Sequence, residues 1–319
     1  MEKKIRMGII GCGRAAENHR ISIGECPQAC ITAVAGGRNA AAFAQTLQVP
    51  VMDPVELCHS ELVDAVCVLT PPQHHYTYAI EALRAGKHVF VEKPVSFCEE
   101  EIRELDREAK KRGLVCMPGH SYIYLPELLR MKRVMDAREI GIPTYAYLGE
   151  TYYMHPDFLP KYTGPETDVL CHQLYLSLAF LGIPKKMSAF RTEIQAPEGE
   201  TDGAQVTLMM EYESGTLAHI LVSWAAEDDT SDPWTFKIKL LGTGGSTHFS
   251  RRDCVIRKNG SCEQYMYQEM FNQVMKWFVK TVENGGGELI STMEDAAWTC
   301  RLHGMALEAI QTGKVITVY

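Results

Sequence analysis

Ile5-Arg6-Met7-Gly8-Ile9-Ile10-Gly11-Cys12-Gly13-Arg14-Ala15-Ala16 is the stretch on which the fold turns. A short apolar run closes on glycine, and a G-x-G-x-x-A pattern then opens a helical segment. Gly11 permits the tight turn. Gly13 leaves room for a pyrophosphate to approach the backbone, and Ala16 lets the helix pack close on a sheet. The helix start offers N–H donors and a positive dipole end to a phosphate. Gly11, Gly13, Arg14, Ala15 and Ala16 are therefore the expected dinucleotide-binding turn.

The segments that follow alternate strand and helix. Short apolar runs at Ile31–Ala35, Ala65–Leu69, His88–Val91 and Leu114–Met117 are separated by helical patterns at Ala40–Leu47, Tyr76–Ala85 and Ile102–Arg112. That order argues for a parallel sheet built of right-handed βαβ units. Ser96 and Glu99 are spaced as a capping box for the last of these helices, and Gly113 stands at its C-terminal end. Beyond residue 120 the texture changes. A helix at Leu125–Asp136 leads into long β-rich runs at Pro143–Tyr153, Lys186–Gln195, Ala204–Tyr212, Thr216–Ala225 and Trp234–Leu241. Their partial alternation predicts an open, mostly antiparallel sheet. A helix at Asp168–Leu181 interrupts them. Two more, at Met270–Asn284 and Thr292–Thr312, precede a last strand at Val315–Val318, with Ser291 and Glu294 as a second capping box. The reading is an α/β chain with a doubly wound dinucleotide-binding domain at 1–120 and a second α/β domain at 121–319.

Composition narrows the partners. The 319 residues are 46% hydrophobic and 23% charged, with 32 Lys and Arg against 40 Asp and Glu. A net charge of −8 argues against a nucleic-acid groove or an anionic membrane surface. No apolar stretch reaches the length of a membrane span, and the N-terminal run is too short for a secretory leader, so a cytoplasmic setting is expected. The 11 cysteines contain no C-x-x-C and read as reduced thiols; no metal is expected.

Three further motifs carry chemistry. After the second strand comes Ala35-Gly36-Gly37-Arg38, without the carboxylate that would hold a ribose 2′-hydroxyl. Arg38 offers a guanidinium to a 2′-phosphate instead, so NADP(H) is expected over NAD(H). Thr70-Pro71-Pro72-Gln73-His74-His75 and Glu92-Lys93-Pro94 each follow a parallel strand at its carboxyl end, where ligands of such sheets sit. Thr70, Pro71, Pro72, His75, Glu92 and Lys93 join the cofactor set, and Lys93 can reach a hydroxyl or carbonyl. Asp168 and His172 are four apart on an apolar helix, opposite a stripe of Leu170, Leu174, Leu178 and Leu181. Two polar groups on one face of a buried helix need partners, either structural or reacting. His120, Tyr122, Tyr124 and Tyr152 are weaker pocket candidates, and Tyr153, His155 and Trp234 weaker still.

These stretches resemble the glucose–fructose oxidoreductase, inositol dehydrogenase and rhizopine-catabolism (Gfo/Idh/MocA) family. The likeness is carried by Met7 to Gly13, Thr70-Pro71-Pro72 to His75, and Ala85-Gly86-Lys87-His88-Val89-Phe90-Val91-Glu92-Lys93-Pro94. Pro118-Gly119-His120 and Gly242-Thr243-Gly244-Gly245 add to it. The resemblance implies an N-terminal Rossmann domain, a C-terminal domain with a large open sheet, and NAD(P)-dependent redox chemistry on sugars, polyols and related alcohols. It places Lys93 against substrate and nicotinamide ribose, and Asp168 and His172 in the second half of the site. It implies a homo-dimer or homo-tetramer through the C-terminal sheet. The Thr163-Gly164-Pro165-Glu166-Thr167 segment departs from the glycine run frequent there.

The expected mechanism is reversible hydride transfer. His172 is the general base, Lys93 stabilises negative charge on the oxygen, and Asp168 fixes a hydroxyl or the catalytic pair. Two alternatives differ in kind. In one, transient oxidation enables elimination or glycoside cleavage with no net redox change. In the other, the chain is a non-catalytic dinucleotide sensor.

Overall fold

Six parallel strands order the first half of the chain. In the computed structural model, which describes residues 4–152, 164–194, 203–225, 235–250, 255–258 and 261–319, β1 (Ile5–Ile10) lies centrally. It is followed by α1 (Arg14–Gly24), β2 (Ala29–Ala35), α2 (Ala40–Leu47), β3 (Val51–Met52) and α3 (Pro54–His59). Then come β4 (Ala65–Val68), α4 (His75–Arg84), β5 (His88–Val91), α5 (Glu99–Arg112) and β6 (Cys116–Pro118). The sheet order is β3-β2-β1-β4-β5-β6. The order reverses between β1 and β4, which puts the switch point where Ile10 and Val68 pair. β1 and β4 are buried almost throughout because helices cover both faces of a parallel sheet. The short pair β3 and α3 was not read from the sequence.

The second part begins with α6 (Pro126–Asp136) and β7 (Pro143–Thr151). α7 (Pro165–Asp168) and α8 (Leu170–Leu181) follow, then β8 (Lys186–Ile194), β9 (Gly203–Glu211), β10 (Leu217–Ser223), β11 (Thr235–Gly242) and β12 (Gly245–Ser250). β13 (Val255–Lys258) and β14 (Ser261–Gln264) pair with each other, and α9 (Tyr265–Glu283), α10 (Met293–Thr312) and β15 (Ile316–Thr317) close the chain. The second sheet runs β12-β11-β7-β10-β9-β8-β15. Its pairs are antiparallel except β10 with β7, which is parallel. One face, with Ala146, Leu148, Val206, Leu208, Ile220 and Val222, is buried; Phe190, Met209 and Leu217 remain exposed.

The chain divides into two units, Met1–Leu125 with Arg257–Cys300, and Pro126–Ile256 with Arg301–Tyr319. The return of 257–300 to the first unit departs from a simple split at residue 120. The cause is α9, whose buried Phe271, Val274 and Phe278 make up an apolar face, and which bonds to α1 through Ser22 Oγ and Asn272 Oδ1 at 2.9 Å. Both capping boxes are shifted. α5 is capped by Cys98, and Ser96 Oγ accepts the Cys98 N–H at 3.0 Å and donates to Glu101. At α10 the reciprocal bonds join Thr292 and Asp295, leaving Ser291 for another partner. Among the described residues no helix is long and apolar enough to cross a membrane. Cys12, Cys67 and Cys116 are free thiols, and all three are buried.

Candidate active site

The cradle at the switch point is built from glycine geometry. Gly11 has φ +102, and a Cβ there would lie 2.6 Å from Thr70 N and 2.7 Å from the Leu69 carbonyl. Only glycine fits, so the turn after β1 touches the turn after β4 directly. Gly13 precedes α1 with extended backbone and no side-chain cap, and a Cβ on it would meet nothing within 4 Å. The start of α1 thus has no side-chain cap and open space beside Gly13. Ala16 is fully buried, as close helix packing requires, while Arg14 is exposed and Ala15 half-buried. Thr70 Oγ1 is buried without a hydrogen-bond partner among the described residues. A buried hydroxyl without a partner is costly unless a ligand completes it. The uncapped helix, the open space and the unpartnered hydroxyl together fit a dinucleotide phosphate.

Arg38 follows Gly36 and Gly37, with φ +70 and +87. A Cβ at Gly37 would lie 3.3 Å from Cys12 N, so this turn lies against the glycine loop. Arg38 itself is exposed. Burial pushes the Cys12 thiol up to about 11, which keeps it protonated within the loop.

His75 ties two turns together. Its Nδ1 lies 2.8 Å from the Pro94 carbonyl and its Nε2 2.6 Å from the Thr70 carbonyl. Burial lowers its pKa, with the two carbonyl contacts opposing. The neutral ring has one N–H to donate, so His75 sits between the two turns and bonds one of the two carbonyls. Pro71 is exposed and Pro72 begins a short 3₁₀ turn through His74. The Lys93–Pro94 bond is cis. Glu92 is buried, with Oε1 2.7 Å from His19 Nε2 and Oε2 accepting the Lys93 N–H at 2.8 Å. Burial alone would push this carboxyl up; the His19 hydrogen bond and charge, with Lys93, outweigh it and hold it below the usual carboxylate range.

His120 stands beside this turn. Gly119 N donates to the Val91 carbonyl at 2.7 Å, and a Cβ at Gly119 would lie 3.1 Å from Glu92 Cα. His120 Nδ1 meets Ser291 Oγ at 2.7 Å, and burial pushes its pKa down to about 3. It is therefore a neutral imidazole at physiological pH. Tyr122 is buried in the short 3₁₀ turn Ser121–Tyr124 that follows β6.

In the second unit the expected single helix is broken. Asp168 ends α7, Val169 intervenes, and His172 lies in the first turn of α8. The His172 N–H bonds to the Val169 carbonyl at 3.0 Å, so the polar pair spans a tight turn rather than one regular helix. His172 is buried, and its Nδ1 is 2.9 Å from Tyr175 Oη, a partner the sequence reading missed. Gln173 is fully buried and donates to Glu150 Oε2 at 2.8 Å. Tyr152 is half-buried with its ring 6.4 Å from Trp224. Tyr153, His155 and Trp234 lie outside the described residues. Among the described residues no cluster could hold a metal ion.

The first unit is thus a doubly wound dinucleotide-binding fold, and the second an open-sheet α/β fold. Residues 5–120 match the oxidoreductase family with an NAD-binding Rossmann fold, and residues 128–248 match the GFO/IDH/MocA C-terminal domain. The chain belongs to the GFO/IDH/MocA family of oxidoreductases. A curated relative, scyllo-inositol 2-dehydrogenase (NAD(+)) of Bacillus subtilis, is 26% identical over 92% of this chain and 91% of its own length. UDP-N-acetylglucosamine 3-dehydrogenase of Acidithiobacillus ferrooxidans is 28% identical over 69% of this chain and 67% of its own. A solved scyllo-inositol dehydrogenase from Lactobacillus casei, with bound NAD(H) and scyllo-inositol, shares the fold at TM-score 0.84 and 19% identity, covering 99% of each chain.

Proposed function

We propose that this oxidoreductase moves a hydride reversibly between a nicotinamide dinucleotide and a ring carbinol of a cyclic polyol or sugar. The observation that carries the reading is the Glu92-Lys93-Pro94 turn, which places an amine-bearing residue at the carboxyl end of β5, one strand beyond the β1–β4 switch point. The names of the relatives support the substrate class. Gly11, Gly13, Arg14, Ala15, Ala16, Thr70, Pro71 and Pro72 hold the dinucleotide, with His75 and Glu92 shaping the turns. The bound nicotinamide supplies the hydride acceptor or donor. His172 takes the hydroxyl proton; for Nε2 to act as base, Nδ1 must carry the ring's proton, and Tyr175 Oη at 2.9 Å accepts it. Lys93 stabilises negative charge growing on the oxygen, and Asp168 orients a neighbouring hydroxyl or the pair itself. His120, Tyr122 and Tyr152 border the substrate.

Arg38, exposed where a carboxylate would otherwise stand, favours NADP(H) over NAD(H). The exposed Phe190, Met209 and Leu217 on the second sheet suit a second copy of the chain, giving a homo-dimer or homo-tetramer in the cytoplasm. The test is a panel of inositols, sugars and linear polyols offered with each oxidised cofactor. Reduced cofactor formed with a cyclic polyol or sugar supports the reading. Product without net reduced cofactor favours transient oxidation, and tight cofactor binding without any turnover favours a sensor.

A further inference from the structure

His19 is the feature that neither the motif nor the fold requires. It lies on the inward face of α1 with Ala16 and Ile23, fully buried. Its ring meets Phe90 and Phe271 edge-on at 5.0 and 5.1 Å. A phenylalanine would suit such an aromatic cluster. Instead there is an imidazole whose Nδ1 is buried without a partner among the described residues. A buried polar group left half-satisfied weakens a fold relative to an apolar isostere. Its bond must therefore serve something other than packing.

That bond runs from Nε2 to Glu92 Oε1 at 2.7 Å, and the other Glu92 oxygen accepts the backbone N–H of Lys93 at 2.8 Å. An ionised carboxylate accepts from both donors at once, and the group is held ionised. One carboxylate thus joins the dinucleotide-facing helix to the backbone of Lys93. His75 stands on the far side of the same turn, with Nδ1 2.8 Å from the Pro94 carbonyl.

We propose that His19 is a positioning residue for Lys93, acting through Glu92. It keeps the backbone that carries the amine in register with the helix that meets the dinucleotide. The inference rests on the reading that Lys93 acts on the substrate oxygen.

The test uses His19→Phe, which keeps the ring and removes the donor, and His19→Gln, which restores a donor; His19→Leu stands in if the phenylalanine variant fails to fold. Hydrogen exchange by mass spectrometry is read first, on protein without ligand. The Lys93 amide should exchange about tenfold faster in His19→Phe and near the parent rate in His19→Gln, with β1 and β4 unchanged. Unchanged exchange at Lys93 overturns the proposal. Kinetics are read second. His19→Phe should lower kcat about tenfold to a hundredfold with cofactor KM within about threefold, and His19→Gln should recover most of it. With His19 gone, Lys93 alone opposes the effect of burial on Glu92, so the acid limb of the kcat profile moves to higher pH. In a Lys93→Ala background His19→Phe should cost nothing more; a further independent loss overturns the proposal. If the parent turns over no polyol or sugar, the functional reading fails, and the exchange measurement alone decides for or against His19 holding Lys93.

Discussion

Alanine at Gly11 and alanine at Gly13 are expected to fail in different ways. At Gly11, φ is +102, and the new Cβ would lie within 2.7 Å of three backbone atoms of Leu69 and Thr70. The left-handed backbone costs about 1–2 kcal/mol and the overpacking about 1–3, or about 2–5 together. For a unit of this size that lowers the melting temperature by roughly 5–20 °C. At Gly13, φ is −97, and the Cβ meets nothing within 4 Å. Stability should stay within about 0.5 kcal/mol of the parent. The methyl nevertheless occupies the space before the uncapped start of α1, so a phosphate is held off its N–H donors. Dinucleotide affinity should fall about tenfold or more, equivalent to about 1.4 kcal/mol. Thermal melts without nucleotide and fluorescence titrations with NADH and NADPH read the two effects separately. A Gly13→Ala protein that melts several degrees low, or binds both cofactors normally, would refute the reasoning. So would a Gly11→Ala protein that melts with the parent.

His172→Ala and Lys93→Ala should each reduce kcat on the order of a hundredfold or more while cofactor Kd changes little; near-parental turnover in both discards the assignment. Arg38→Ala should weaken NADPH about tenfold relative to NADH, and an unchanged ratio removes Arg38 from cofactor choice. His120 is pushed from 6.5 to about 3 by burial. Below pH 6.5 the unfolded chain therefore takes a proton that the folded chain refuses. Stability should fall as pH drops through this window, by up to about 1.4 kcal/mol per unit, and His120→Asn should flatten the urea midpoint against pH. Equal slopes in parent and variant count against it. Phe190→Asp on the exposed sheet face should shift the elution of the oligomer toward a smaller species, and a parent that elutes as a monomer counts against self-association.

The parallel sheet was legible because each strand is buried on both faces and reads as an apolar run. Ile5–Ile10 and Ala65–Val68 are buried in that way. β3, with two residues, carries no periodicity to read. The capping boxes were misplaced because hydroxyl and carboxylate spacing recurs nearby. Thr292 and Asp295 share the offset of Ser291 and Glu294, and only tertiary contact, Ser291 with His120, decides between them. The glycine turn and the Glu92-Lys93-Pro94 turn were legible as motifs. The break at Val169 was not, since no glycine or proline marks it within the apolar run. His19 left a signal that was passed over: Ala16, His19 and Ile23 stand at i, i+3 and i+7, so a histidine occupies the inward stripe of α1. Its partner Glu92 is far away in sequence, and spacing alone could not join them.

The most direct test of hydride transfer by this protein follows deuterium. A cyclic polyol or sugar carrying deuterium on the reacting carbon is offered with oxidised cofactor, and the nicotinamide is then examined by mass spectrometry. The label is expected in the reduced nicotinamide, with turnover slower than for the unlabelled substrate, and His172→Ala should form the labelled nicotinamide on the order of a hundredfold more slowly. Cofactor that binds well yet acquires no deuterium from any member of the panel would contradict hydride transfer.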